Sequence, residues 1–158
     1  MIRLEIDIAA QIMQVFNNEN LQQEYAISTA KNGAGEQKNS EQTPRGLHII
    51  RAKIGKNCLP NTVFVGRRQT GEIFSAELKE QYPDRDWILT RILWLSGLEV
   101  GRNRLGNVDT MQRYIYIHGT PDNTQLGKPG SHGCIRMRNS HIIELFNNVS
   151  VGSQVFIK

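Results

Sequence analysis

A histidine that closes an apolar run and a cysteine sixteen positions later carry most of this chain's chemical potential: His118 in "YIYIHG" and Cys134 in "SHGCIRM". A thiol with its ordinary pKa of about 8.5 is only a few per cent thiolate near neutral pH. A neighbouring imidazole that accepts the proton turns it into a nucleophile, so Cys plus His is the smallest kit for acyl transfer. Gly119 follows His118, at a strand end where a side chain can emerge into a cleft. Gly133 precedes Cys134 and lets the backbone bend and approach a substrate closely. The successive N–H groups of His132, Gly133 and Cys134 are then placed to point at one oxygen, as an oxyanion hole does. The intervening "TPDNTQLGKPG" is a turn-rich loop able to bring His118 back toward Cys134.

Two other readings compete. Taken singly, Cys134 is a buried core thiol, and His118 and His132 are hydrogen-bonded core imidazoles. Four features weigh jointly against that: the Ser131-His132-Gly133-Cys134 string, the strand-end His-Gly, the loop between them, and the Ile-Arg-Met that follows. A zinc site of His118, His132 and Cys134 is the other competitor. The single residue between His132 and Cys134 is tighter than ordinary zinc-ligand spacing, so no metal is expected. Cys58, in "GKNCLPN", reads as an ordinary loop thiol.

The elements that must position these residues are mostly strands. "IRLEIDI" alternates apolar and polar residues, the period of a half-buried strand, and a second strand follows over about 11–16. After a turn at "NNEN" comes a strand near Glu24–Ser28, then a polar stretch, Lys31 to Pro44, expected to be a flexible loop. "GLHIIRAKIG", "NTVFVG" and "DWILTRILWLSG" read as strands, and "MQRYIYIHG" as the clearest one. Ser75 to Pro83 has helix formers, a Ser75 N-cap and a proline stop. "NSHIIELFNNV" carries a helical apolar stripe with Asn139 or Ser140 as cap, and "GSQVFIK" ends the chain as a strand. No repeat or linker divides the 158 residues, a length for one domain.

Composition bounds the partners. No apolar run approaches the roughly 18 residues of a membrane span. The net charge of +4 suits acidic partners, yet the Lys and Arg residues are scattered without a basic helix or finger spacing, so nucleic acid is not expected. Glu5 and Asp7 break the pattern of a secretory signal, which makes the expected compartment cytoplasmic, or periplasmic if a leader has been removed.

"HGT" at His118, "SHGCIRM" at Ser131, "TPRG" at Thr43–Gly46 and the closing "GSQVFIK" together resemble the L,D-transpeptidase catalytic domain (YkuD-type) of bacterial cell-wall enzymes. The resemblance covers nearly the whole chain. It implies a mostly β, sandwich- or barrel-like single domain over 1–158 with one or two short helices, and no cofactor. It also implies a thiol that attacks a peptidoglycan stem tetrapeptide between the third residue, usually meso-diaminopimelate, and the terminal D-Ala. On that basis Cys134 is the nucleophile, His118 the general base, and the carbonyl of Gly119 the group that orients the imidazole. Ser131, His132, Gly133 and Arg136 shape the oxyanion hole and substrate site, with Arg136 equally readable as a tie between the cysteine loop and the body. Carbapenems are expected to acylate Cys134.

Two departures stand out: His48 occupies a position where an aromatic is frequent, and Ser140 and His141 stand where acidic residues often open a helix. Residues 56–86, with Arg67 and Arg68, read as an insertion that either walls the cleft or is a solvated excursion. Without an export signal the chain would meet recycled muropeptides, so the expected activity is an L,D-carboxypeptidase with water as acceptor. An L,D-transpeptidase with an amine acceptor, and an inactive muropeptide-binding module, are the alternatives.

Overall fold

Alternation over the first residues puts Leu4 and Ile6 on one face, and the computed structural model, which describes residues 1–158, closes that face into a barrel. The strand Ile2–Asp7 (β1) runs parallel to the last strand, Gln154–Ile157 (β10), and antiparallel to Ile12–Asn17 (β2). β2 pairs with Asn20–Ser28 (β3), and β3 with Ile135–Arg138 (β9), which lies parallel to Tyr116–Thr120 (β8). Ile88–Gly97 (β7) takes β8 on one edge and Gly46–Ile54 (β4) on the other, while β4 also pairs with β10. Setting aside a hairpin, the ten-stranded sheet is thus a closed ring in the order β4-β10-β1-β2-β3-β9-β8-β7. Closure removes free edges from the ring.

The hairpin is Thr62–Val65 (β5) and Arg68–Ile73 (β6), which joins β7 beyond the end of β4 through Val63 and Phe64. It belongs to the 56–86 segment, together with the helix Ala76–Gln81 (α1), whose first turn is capped by Ser75 Oγ accepting from Leu78 N–H at 3.1 Å. The second helix, Asn139–Asn148 (α2), lies on β7, β8 and β9 and sends Ile142, Leu145 and Phe146 into the main core.

One face of β8 and β9 belongs to that core: Ile117, Ile135 and Met137 have no exposed surface. Side chains alternate along a strand, so Tyr116, His118 and Arg136 point to the other face. There Tyr116, Ile92 and Phe64 form a second, smaller cluster, against which Cys134 packs from the residue before β9. The reactive side chains therefore sit on the outside of a barrel wall whose inside is apolar.

Four details differ from the sequence expectations. Met111–Tyr114 is a run of turns, and β8 begins only at Tyr116, because Asp109 accepts from Gln112 N–H and Leu105 N–H and holds the segment folded. β6 and β9 are strands not expected from the sequence: β6 is polar and almost wholly exposed and so shows no alternation, and β9 alternates but over only four residues. The cap position of α2 is Arg138, with no side-chain cap bond; Asn139 is the first helical residue and its amide is engaged elsewhere. The Lys31–Pro44 loop is laced to itself and to the body: Gly35 N–H donates to Thr43 O at 2.9 Å and Arg113 reaches the carbonyl of Gln42 at 2.6 Å.

Candidate active site

Parallel pairing of β8 with β9 places Ile117 opposite Ile135 and His118 opposite Arg136. One step back, Tyr116 stands beside Cys134, and the two carry the contact that fixes the thiol: Tyr116 N–H donates to Sγ at 3.3 Å. The thiol in turn points at the carbonyl of Tyr114, 3.5 Å away. His118 is two residues along on the neighbouring strand and shares this face, a diagonal of about 8 Å between backbones at ordinary strand spacing and rise.

The imidazole of His118 is buried, and its Nδ1 lies 2.6 Å from the carbonyl oxygen of its neighbour Gly119. A carbonyl only accepts, so Nδ1 carries the proton and Nε2 carries the lone pair. Nε2 has no hydrogen-bond partner in the protein. A buried polar atom left unpaired costs free energy, and is the exception in folded proteins. Here it leaves a base with its acceptor atom unspent, on the face that carries the thiol.

Gly119 is held from below. A Cβ on it would come within 2.3 Å of Asn139 Oδ1 and 2.6 Å of the Leu89 carbonyl. Asn139 accepts from Thr90 Oγ1 at 2.6 Å and donates to Asn61 Oδ1 at 3.0 Å and Asp122 Oδ1 at 3.2 Å. Thr90 sits at the irregularity of β7 between Leu89 and Ile92 with φ of +76°, a left-handed conformation that a β-branched residue rarely adopts. Sequence reasoning missed Thr90, Asn61 and Asp122 and took Asn139 for a cap. Nothing in their types or spacing announces the network, which joins two loops, the strand β7 and a helix start.

The cysteine loop is braced from inside. Ser131 Oγ donates to the Cys134 carbonyl at 2.6 Å and accepts from Gly133 N–H at 3.1 Å, while Thr43 Oγ1 donates to the Gly133 carbonyl at 2.9 Å. Gly133 has φ of +135°, a value for glycine, and its N–H is spent on Ser131 rather than facing outward. The N–H groups of His132 and Cys134 donate to no protein acceptor, which leaves two amides for an incoming oxygen. Arg136 donates to the Gly130 carbonyl at 3.0 Å and lies 3.4 Å from Asp86, the tie between loop and body. Asp86, also 3.9 Å from His132 Nδ1, was missed because an aspartate at a loop end carries no signal of its own.

Sγ opens into a cavity of about 490 Å³. Gly66, Arg67 and Asp86 of the 56–86 segment line it, together with Arg113, Tyr114 and Tyr116. Desolvation pushes the Cys134 thiol up to about 12, against the smaller opposing pull of the Tyr116 N–H, and Asp86 adds to the rise. Burial likewise lowers the pKa of His118, partly offset by Asp86 and the Gly119 bond. Both shifts favour a neutral thiol and a neutral imidazole at rest. Cys58 and Cys134 are both free thiols, with Cys58 at a separate site near Arg91. His118 and His132 turn their Nδ1 atoms to Gly119 and Asp86, and no group of three or more His, Cys, Asp or Glu side chains is arranged to hold a metal.

Comparison with known proteins locates this geometry. The family model of the L,D-transpeptidase catalytic domain (YkuD) matches residues 2–157. Over 45 residues the chain is 51% identical to the Escherichia coli K12 protein named "Probable L,D-transpeptidase ErfK/SrfK"; the match spans 28% of this chain and 14% of that one. The fold is that of L,D-transpeptidase 3 from Mycobacterium tuberculosis, solved with a faropenem-derived adduct, at a TM-score of 0.62 and 15% identity, covering 99% of this chain and 60% of that one. It is also that of LdtMt1, solved with imipenem, at a TM-score of 0.58 and 16% identity, covering 99% and 58%. The match spans about a quarter or less of the curated relatives, and the chain covers about three fifths of those solved chains. A match from the second residue to the last but one, around a Cys-His pair on one barrel face, shows that the chain belongs to the L,D-transpeptidase catalytic domain (YkuD) family.

Proposed function

We propose that the protein is a cysteine acyl-transfer enzyme that cuts the meso-diaminopimelate–D-Ala bond of peptidoglycan tetrapeptides or muropeptides and passes the acyl group to water, an L,D-carboxypeptidase. The observation that carries the reading is the unpartnered Nε2 of His118, locked in its basic tautomer by Gly119 on the face that bears Cys134. Sγ attacks the carbonyl carbon of the third residue as its proton passes to Nε2. The developing oxyanion meets the N–H groups of Cys134 and His132. The imidazolium then protonates the departing D-Ala amine, leaving a thioester on Cys134. Water, deprotonated by the same nitrogen, releases the tripeptide and restores the thiol.

Arg67 and Arg113 at the cavity wall suit a substrate rich in carboxylates, and water needs no site of its own to reach the thioester. Trimming tetrapeptide to tripeptide is a step of murein recycling, and the compartment proposed with it is the cytoplasm. The second reading is an L,D-transpeptidase with an amine acceptor. A neighbouring cavity of about 280 Å³ favours it, because it shares Arg113, Tyr114, Ile115 and His132 with the first and extends to Lys38 and Glu41.

One incubation decides between them: tetrapeptide with and without added D-Met, products followed by mass spectrometry. Tripeptide and free D-Ala with little D-Met product support the carboxypeptidase. Dominant D-Met exchange or dimers assign the transpeptidase, and intact tetrapeptide in both arms ends the acyl-transfer reading. A carbapenem should add its mass to Cys134 and not to Cys58.

A further inference from the structure

The hairpin of the 56–86 segment turns at Gly66 and Arg67, with φ of +56° and +64°. Two-residue turns with both positions left-handed favour glycine or asparagine at the second position, and arginine there is costly. What the turn achieves is the placement of one guanidinium. Arg67 lies over the Tyr114 ring at 4.6 Å and the Trp94 ring at 4.9 Å, and its Nη1 donates to the Tyr116 hydroxyl at 2.9 Å. Two rings and a hydroxyl hold it at the wall of the cavity that contains Cys134. No carboxylate lies within 4.0 Å of it, whereas Arg3, Arg45, Arg85, Arg102 and Arg136 each have one. A guanidinium has five N–H donors, and only one is spent here. A fixed cation without an anion, facing a reaction cleft, is a receptor for one.

Tyr116 also touches both the thiol and this cation. Its backbone N–H donates to Cys134 Sγ at 3.3 Å and its hydroxyl accepts from Arg67 at 2.9 Å, so one tyrosine links thiol and guanidinium. In a tetrapeptide whose scissile carbonyl sits on Sγ, the C-terminal carboxylate lies one residue further on, about 3.8 Å of chain. Arg67 and Cys134 line the same cavity, so the carboxylate of a substrate on Sγ and the guanidinium share one cleft. We propose that Arg67 is a specificity residue that binds the free terminal carboxylate of the D-residue about to leave, with Tyr116 as the positioning residue that aims it. The inference rests on the acyl-transfer reading above.

The test compares two peptides, the tetrapeptide acid and the same peptide with its terminal D-Ala as the carboxamide, against wild type, Arg67→Gln and Tyr116→Phe. Wild type should prefer the acid at least tenfold in kcat/KM, mainly through KM. Arg67→Gln should lose that preference, its kcat/KM falling at least tenfold more on the acid than on the amide, and Tyr116→Phe should lose part of it. The acid/amide ratio does not depend on how much protein is folded, so a destabilised variant still gives an answer. An equal fall on both peptides, or a wild type indifferent to the carboxamide, overturns the proposal. So does a loss that follows replacement of diaminopimelate by lysine, since that removes an internal carboxylate. Binding of both peptides to Cys134→Ala by calorimetry separates the two readings: absence of turnover by wild type sinks the enzyme, whereas equal affinity for acid and amide sinks only the role of Arg67.

Discussion

His48 and His118 are both sealed from solvent on barrel strands, and both give Nδ1 to a backbone carbonyl, of Gly46 at 3.0 Å and of Gly119 at 2.6 Å. The second nitrogen distinguishes them. His48 Nε2 accepts from Thr110 Oγ1 at 2.9 Å, which ties β4 to the loop before β8, whereas His118 Nε2 meets nothing. Burial disfavours the charged form of both and lowers both pKa values, that of His48 to about 4. Similar desolvation thus yields a satisfied structural imidazole in one place and an unspent base in the other. The environment of the far nitrogen, more than burial or the titration it causes, is what assigns the role.

The largest effect belongs beside the unspent base. Cys134→Ala should lower turnover by at least about a thousandfold, with the fold and its melting transition intact, since it removes the atom that forms the thioester. His118→Gln should cost on the order of 10²- to 10⁴-fold in kcat/KM. Its melting temperature should fall far less than that of a His48 variant, because His118 Nε2 has no protein partner to lose. A clear loss of stability with activity retained would erase the distinction between the two histidines.

His48→Ala should behave in the opposite way. It leaves a cavity and strips Thr110 and the Gly46 carbonyl of a partner, so denaturant unfolding should show a loss of about 2–4 kcal/mol. Turnover by the folded variant should stay within a few-fold of wild type. Acid sharpens the comparison. Because the folded pKa of His48 is about 4 and the unfolded value about 6.5, the unfolded chain takes up the proton first as pH falls. Stability should therefore drop between roughly pH 6.5 and pH 4 and level off below, by about 3 kcal/mol for this group. Removing His48 should flatten that part of the curve, measured as wild type minus variant. The depressed pKa of His118 predicts that the acid limb of kcat/KM falls below pH 6.5, since the base stays neutral to lower pH. Cys58→Ala should have the smallest effect, less than about 1 kcal/mol in stability and no change in rate.

Much of this was legible in the chain. Alternation marked β1, strand-like runs marked β2 and β4, the Ser75 cap and the proline bounded α1, and the spacing of His118 and Cys134 marked the candidate pair. Those signals are local: a period of two, a cap and a motif are all written within a few residues. β9 escaped notice because it is four residues long and lies inside the motif whose chemistry drew attention. The network under Gly119 escaped because Asn61, Thr90, Asp122 and Asn139 are ordinary polar residues up to 78 positions apart, joined only when the barrel brings β7, β8 and the start of α2 together. The sequence by itself determined which residues are the candidates for the chemistry and that a β domain must hold them, because residue type and periodicity are properties of the chain. Which histidine nitrogen is free, which amides are left for an oxyanion and where Arg67 points were decided only by tertiary structure, because each depends on which partner a closed barrel brings within hydrogen-bond distance.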